Sequence, residues 1–200
     1  MAVAVEQRLH KRALRLEYFT ITWNVIEAVV AIGAGVVAGS IALVGFGFDS
    51  SIEGVAASVV IWQLRGAENE EREQRALSFI AITFFILAAY VVFESVRDLA
   101  SRAHPETSVI GIVVATASII VMPTLGFAKK RVADKMGSAV LRADAAETFL
   151  CSWLSVILLG GLILNATVGW WWADPVAALG IAGLALREGL EAWSGNYDKD

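Results

Sequence analysis

The sequence predicts an all-α membrane protein, a bundle of six transmembrane helices. Hydrophobic residues make up 57% of the 200 residues and charged residues only 18%, whereas about a quarter of the residues in a soluble domain are charged. The apolar residues are also concentrated in segments of about 20 residues or more, the length that a helix needs to cross the hydrocarbon core. The lipid bilayer is therefore the expected surrounding of most of the chain.

Six segments have this length and character, and they define a transmembrane domain over residues 17–194. The predicted spans are about 18–40, 41–64, 76–96, 108–128, 139–165 and 171–193. A basic N-terminal segment, residues 1–16, precedes them, and a short tail, residues 195–200, follows them. The apolar stretch after the basic segment is too long for a signal peptide, so the first helix is expected to be retained.

The first two spans are long apolar runs that carry polar residues within them. The basic segment before the first span predicts a short helix at the cytoplasmic surface. Asn24 and Glu27 in the first span are three residues apart, so they share one face of a helix. One interpretation is that they form hydrogen bonds with each other or with a neighbouring helix. The other is that they support the ligands of a site and relay protons to it. The second span carries Asp49 and Glu53.

The other four spans are bounded by charged, proline-containing or tryptophan-rich stretches. Charged residues dominate 65–75, which is most simply a solvated connector, with the collection of metal ions as the lesser alternative. Pro123 should kink or end the fourth span, because proline lacks the N–H that a helix interior needs. The basic cluster at 129–135 follows that span. Trp170 to Trp172 precede the sixth span and are typical of the aromatic belt at a membrane surface.

The distribution of basic residues predicts the orientation of the six spans. An even number of spans places both termini on the same side of the membrane. With both termini inside, the external connectors hold only Arg97 and Arg102 of the 16 basic residues. Because cytoplasmic loops are enriched in Lys and Arg, both termini are expected in the cytoplasm.

Two pairs of candidate metal ligands lie near the middle of their spans. Asp49 and Glu53 are four residues apart, so a helix places them on one face, one turn from each other. Glu147 and Cys151 in the fifth span have the same spacing, and Asp144 lies one turn earlier. Charged groups at the centre of a bilayer are costly and need a partner, for which a cation is the obvious candidate.

Two facing helices with two ligands each could surround one ion tetrahedrally. Tetrahedral geometry with carboxylate and thiolate ligands suits Zn²⁺, while Cd²⁺, Mn²⁺, Fe²⁺ and Co²⁺ are alternatives because the ligand set mixes hard oxygens with one soft sulfur. Simpler interpretations stay open. Cys151 could be a small core residue, and Asp49 and Glu53 could share a proton or bond to hydroxyl groups.

Three stretches resemble the transmembrane domain of the cation diffusion facilitator family. They are Ala38 to Val44 with the Asp49–Glu53 pair that follows, Arg142 to Cys151, and Trp172 to Val176. The similarity covers about residues 8–193. It implies an antiporter that exchanges divalent metal ions for protons and exports the metal from the cytoplasm, usually as a homodimer. A bacterial inner membrane is the corresponding location.

The ligand residues depart from the family pattern in ways that affect the metal. The second-helix pair of the family is usually His or Asp with Asp, where this chain has Glu53. The fifth helix of the family usually has His and Asp, where this chain has Glu147 and Cys151. The family's cytoplasmic metal-binding domain is also expected to be missing, because few residues follow Trp193. Dimerisation would then depend on the membrane helices.

Two other function classes compete with a metal exporter, namely a membrane scaffold or accessory subunit and a cation channel. A scaffold does not need ligand pairs at matching depth, and a channel favours a continuous polar face. An enzyme with a resident cofactor is not expected, because His10 and His104 lie outside the spans and no hydrolase constellation is present. A net charge of −4 makes nucleic acid an unexpected partner.

Proton coupling would have to use carboxylates or the thiol, since no histidine lies in a predicted span. Metal ligands must lose their protons to bind, so metal binding and proton release are linked. The sequence therefore predicts that Asp49, Glu53, Glu147 and Cys151 hold the metal. Asp144, Glu27 and Asn24 are the candidates for a supporting or proton-relay role.

Overall fold

A computed structural model describes residues 2–38, 41–66, 70–102, 108–168, 170 and 172–194, and within these ranges the secondary structure is entirely α-helical. The helices are α1 Ala2–Ala38, α2 Ile41–Leu64, α3 Glu70–Ser101, α4 Val109–Met136, α5 Ala139–Val168 and α6 Ala173–Ser194. The predicted all-α fold of six helices is therefore confirmed. His104, Trp171 and the tail 195–200 lie outside the described residues.

Five of the six helices have the length and hydropathy of a membrane span. These spans are Val5–Val37, Leu43–Leu64, Glu70–Ser101, Val109–Met136 and Ala139–Gly160. Within its described residues α6 is not among them, and its second half carries Arg187, Glu188 and Glu191. The chain is an integral membrane protein that crosses the bilayer several times, while the crossing by α6 stays a prediction.

The N-terminal basic segment is continuous with the first helix, which corrects the expectation of a separate surface helix. No glycine or proline interrupts the chain between Ala2 and Ile32, so nothing breaks the helix there. Ala13 is buried in the main apolar core, and Leu14 and Leu16 pack against that core. The basic segment is therefore the first part of α1 and is held by packing as well as by propensity.

The fourth helix is longer than its predicted span and continues through Pro123 to Met136. At its start the Ser108 side chain accepts a hydrogen bond from the Gly111 N–H at 3.2 Å, a typical N-cap. At its end Gly137 has φ of 67°, the left-handed conformation that favours glycine. The helix therefore extends well past residue 128 and includes Lys129.

The helices pack as a group of four and a flanking pair. α1 contacts α2 and α4, α5 contacts α4 and α2, and α3 packs along α6 while also touching α2 and α5. Gly47 permits the close approach of α1 and α2, because a Cβ atom there would lie 3.1 Å from the Ala28 carbonyl oxygen. This approach places the polar part of α2 against Glu27 of α1.

Candidate metal site between α2 and α5

The four predicted metal ligands are buried together where α2 and α5 meet. Asp49 is 3% exposed, Glu53 1%, Glu147 1% and Cys151 2%. Because each pair has a spacing of four in a continuous helix, both members of a pair project from one face. The contact of α2 with α5 then brings the two faces together. These four residues are called the central cluster below.

A direct hydrogen bond joins the two helices within the central cluster. The Cys151 thiol donates to Asp49 Oδ2, with the sulfur and oxygen atoms 2.6 Å apart. Cys151 also interacts electrostatically with Glu53. Glu147 interacts with both Asp49 and Glu53, and its Oε2 accepts a hydrogen bond from Thr83 Oγ1 at 3.3 Å. The spacing argument from the sequence therefore corresponds to a real spatial group.

Several carboxylate oxygens of the central cluster lack partners. Among the described residues, neither oxygen of Glu53 accepts a hydrogen bond, and Glu147 Oε1 has no hydrogen-bond partner either. Buried polar atoms in proteins are nearly always hydrogen-bonded, and unpaired buried carboxylates are costly. A cation that bound here would satisfy these atoms.

The central cluster is not arranged as a finished coordination shell. In the part of the chain that the structure describes, no three His, Cys, Asp or Glu side chains are placed to hold one metal ion. Side-chain rotation would be needed to bring the oxygens and the sulfur around a single point. The assignment of Asp49, Glu53, Glu147 and Cys151 as ligands therefore stays a prediction.

The residues predicted to support the site behave differently from one another. Glu27 is buried, and its Oε2 accepts a hydrogen bond from Ser50 Oγ at 2.9 Å. It also interacts electrostatically with Asp49. Asn24 is buried too, yet neither its amide nitrogen nor its amide oxygen has a hydrogen-bond partner among the described residues. Of the alternatives offered by the sequence, Glu27 bonds to a neighbouring helix and not to Asn24, while a supporting or proton-relay role for either residue stays a prediction.

Asp144 belongs to an ion group that the sequence did not predict. Lys129 Nζ lies 2.5 Å from Asp144 Oδ2 and 3.1 Å from Glu17 Oε2. All three side chains are fully buried. Lys129 looked like part of an exposed basic cluster because the predicted span ended at residue 128. The helical periodicity was the available signal, since Met122, Leu125, Lys129 and Val132 form one buried stripe.

A cavity reaches the central cluster from one end of the bundle. It has a volume of about 90 Å³ and lies between α2, α3, α5 and α6, which is room for several water molecules. Asp49 lines its inner part, and Tyr90, Glu94 and Asp98 line it along α3. Their spacing of four places these three on one helix face. A cation could therefore pass between Asp49 and this end of the bundle along an acidic wall.

Comparison with known proteins connects this architecture to a family. The model of the cation efflux transmembrane domain matches residues 18–197. An uncharacterised transporter of Synechocystis is 24% identical over 176 residues, which are 83% of this chain and 55% of that protein. Transmembrane protein 163 of Xenopus laevis is 22% identical over 189 residues, 92% of this chain and 67% of that protein.

A third relative carries a more specific name over a shorter region. The cation-efflux pump FieF of Shewanella oneidensis is 30% identical over 108 residues, 53% of this chain and 36% of that protein. The chain thus spans between about one third and two thirds of the length of these relatives. Because the family model covers most of the chain, the protein belongs to the cation efflux family of transporters.

Proposed function

We propose that this protein exports a divalent metal cation, Zn²⁺ first, from the cytoplasm in exchange for protons. The observation that carries the proposal is the central cluster, in which three buried carboxylates and one buried thiol from α2 and α5 come together. Carboxylate oxygen and thiolate sulfur are both accepted ligands of Zn²⁺. The cation-efflux pump of Shewanella supports the direction of transport, because its name describes efflux.

The physiological metal is part of the proposal, and Cd²⁺, Mn²⁺, Fe²⁺ and Co²⁺ are the alternatives. Cys151 favours Zn²⁺ and Cd²⁺ because thiolate is a soft ligand. The carboxylates of Asp49, Glu53 and Glu147 also suit harder ions such as Mn²⁺. The balance between one sulfur and several oxygens therefore sets the selectivity.

The proposed coupling follows from the ligand chemistry. The central cluster contains no histidine, so its protons are carried by carboxyl groups and by the Cys151 thiol. In the structure this thiol donates to Asp49, and a metal bound to both residues would have to displace that proton. Metal and protons then exclude each other at the same atoms. Alternating access about a site near the bilayer midplane would carry the metal one way and the protons the other.

The proposed setting is a bacterial inner membrane, with six spans and both termini in the cytoplasm. A homodimer is part of the proposal, with its contacts made by the membrane helices. The orientation is supported by the distribution of Lys and Arg residues. Reporter fusions after Ser194 and in the connection between α5 and α6 should report opposite sides of the membrane. The same side for both would contradict the six-span topology.

A transport assay in proteoliposomes tests the proposal. With acid on the external-facing side, Zn²⁺ movement towards that side should accelerate and protons should move in the opposite direction. A matched control is the same vesicle with no pH gradient. Zn²⁺ flux that ignores the gradient would contradict antiport and favour a channel.

An accessory subunit is the second candidate, because the described side chains are not preassembled around a metal. A monodisperse protein that neither binds nor moves Zn²⁺, Cd²⁺ or Mn²⁺ would favour this role. Stoichiometric binding by isothermal titration calorimetry would exclude it. A binding measurement alone, without a transport assay, therefore distinguishes a transporter from an accessory subunit.

A further inference from the structure

The buried group of Glu17, Lys129 and Asp144 connects three helices on one side of the central cluster. Lys129 on α4 contacts Glu17 of α1 and Asp144 of α5 at once. Each carboxylate uses one oxygen for this contact. Among the described residues, Glu17 Oε1 and Asp144 Oδ1 have no hydrogen-bond partner. Two fully buried carboxylates therefore present spare oxygens beside a cation that belongs to the protein.

The order of residues along α5 places this group relative to the central cluster. Asp144 comes first, Glu147 and Cys151 follow, and the cavity-lining Leu154, Ile157 and Leu158 come last. From Asp144 to Cys151 the helix rises about 10 Å. The ion group and the cavity therefore lie at different depths along α5, on opposite sides of the central cluster.

The charge balance singles out Lys129. Among the described residues it is the one buried cation, and it faces a surplus of buried carboxylates. They are Glu17, Glu27, Asp49, Glu53, Asp144 and Glu147. Lys129 also interacts electrostatically with Glu53 of the central cluster. Its ammonium group is a compact charge on a flexible four-carbon stem, so it can leave the carboxylates without any movement of the helix.

We propose that Glu17 and Asp144 form a transient binding site for a divalent cation, and that the Lys129 ammonium occupies this site when no metal is there. The inference deepens the proposed function and rests on it. A metal ion that approaches from the α4–α5 connection takes the spare oxygens of the two carboxylates. Lys129 then swings away, and the ion moves on to Glu53 and Glu147. On this account the lysine is a tethered substitute for the transported metal.

Replacing Lys129 should leave the oxygens of Glu17 and Asp144 free to bind Zn²⁺. Calorimetry with Zn²⁺ as the only metal can detect this binding. The parent protein is the Asp49→Asn/Glu53→Gln variant, whose central cluster is disabled. Adding Lys129→Gln should give binding of one more Zn²⁺ per chain than the parent binds. Adding Glu17→Gln to that triple variant should abolish the extra site. Lys129→Arg keeps the charge and should leave the stoichiometry of the parent unchanged.

The matched control is Lys130→Gln, because Lys130 is the exposed neighbour of Lys129. A monodisperse Lys129→Gln protein with no extra Zn²⁺ would overturn the inference and leave the ion group as a brace between helices. If the central cluster did not bind metal, the result would be different, because the Asp49→Asn/Glu53→Gln parent would then bind as much Zn²⁺ as the unaltered protein.

A second measurement covers the case in which Lys129→Gln does not yield folded protein. Cys151 is the one cysteine of the chain, so the rate at which Zn²⁺ protects it from a thiol reagent reports arrival at the central cluster. Glu17→Gln keeps the Lys129–Asp144 pair but removes one carboxylate. Protection by Zn²⁺ added on the side of the α1 N-terminus should become about tenfold slower, the effect of one lost close charge. An unchanged rate would overturn the inference.

Discussion

The two buried polar regions of this protein differ in whether they carry their own cation. In the group of Glu17, Lys129 and Asp144, the ammonium lies within 3.1 Å of both carboxylates. In the central cluster, Asp49 is paired with a thiol, and Glu53 has no hydrogen-bond partner among the described residues. Both regions concentrate negative charge in a bilayer, where it needs compensation. The region that lacks a lysine is therefore the one in which a bound metal would be the main counter-ion, whereas in the other region a metal would only replace Lys129 for a time.

The largest expected effect comes from neutralising the carboxylates of the central cluster on α2. Asp49→Asn with Glu53→Gln should lower Zn²⁺ affinity at least about a hundredfold, because metal ligation needs charged oxygens. Calorimetry and vesicle uptake measure the loss. Asp134→Asn with Glu6→Gln makes the same chemical changes at exposed positions and should have no effect. Normal transport by the α2 variant would move the site elsewhere.

Replacing Lys129, the buried cation of the other region, should lower the stability of the fold. Lys129→Met leaves two buried carboxylates without a charge partner, which typically costs about 3–5 kcal/mol. The midpoint of thermal unfolding in detergent should therefore fall. The unfolding midpoint of the Asp49→Asn/Glu53→Gln variant should not fall in the same way, because that variant removes negative charge that has no partner. Equal midpoints for Lys129→Met and the unaltered protein would show that the ion group does not stabilise the fold.

The thiol should decide selectivity more than overall affinity. Cys151→Ser replaces a soft sulfur by a hard oxygen of similar shape, so binding of Cd²⁺ and Zn²⁺ should weaken about tenfold and binding of Mn²⁺ should change less. Competition titrations with the three metals give the ratio. If all three affinities fell equally, Cys151 would be a packing residue and not a ligand.

The smallest expected effect concerns the contact between α1 and α2. Ser50→Ala removes the hydrogen bond to Glu27, and such a bond is worth about 1.5–3 kcal/mol when the acceptor is charged. Zn²⁺ affinity should weaken only severalfold, because Glu27 supports Asp49 from behind. Ser58→Ala is the control, since Ser58 is exposed and donates a hydrogen bond to the Gly54 carbonyl of its own helix. An effect of equal size from both variants would exclude a supporting role for Glu27.

The helices and the clustering of the four candidate ligands could be predicted because both follow from short-range periodicity. Apolar runs of membrane-spanning length specify the helices, and a spacing of four places Asp49 with Glu53 and Glu147 with Cys151. The depth of the two pairs could be compared once the spans were drawn. The structure does place these four side chains together, although their role as ligands is untested.

The sequence did not predict the roles of Lys129 and Glu17. Lys129 lies beyond the predicted end of the fourth span, and Glu17 is distant in sequence from Lys129. A lysine just beyond an apolar segment usually lies in water at the membrane surface. Here α4 continues past Pro123, so Lys129 faces the interior. Pairing with Glu17 depends on how α1 packs against α4, and local periodicity carries no information about that. For the same reason, local periodicity could not predict that the Asn24 amide has no hydrogen-bond partner among the described residues.

The ion pair between Lys129 and Asp144 has a consequence for biogenesis. The two residues are 15 positions apart and belong to neighbouring helices joined by the tight turn at Gly137. A hairpin of α4 and α5 can therefore form this pair by itself, before α1 supplies Glu17. Each charge alone adds about 2.5–3.5 kcal/mol to the cost of inserting a helix. Paired within one hairpin, the two charges enter the bilayer as a neutral unit, which favours insertion of α4 and α5 together.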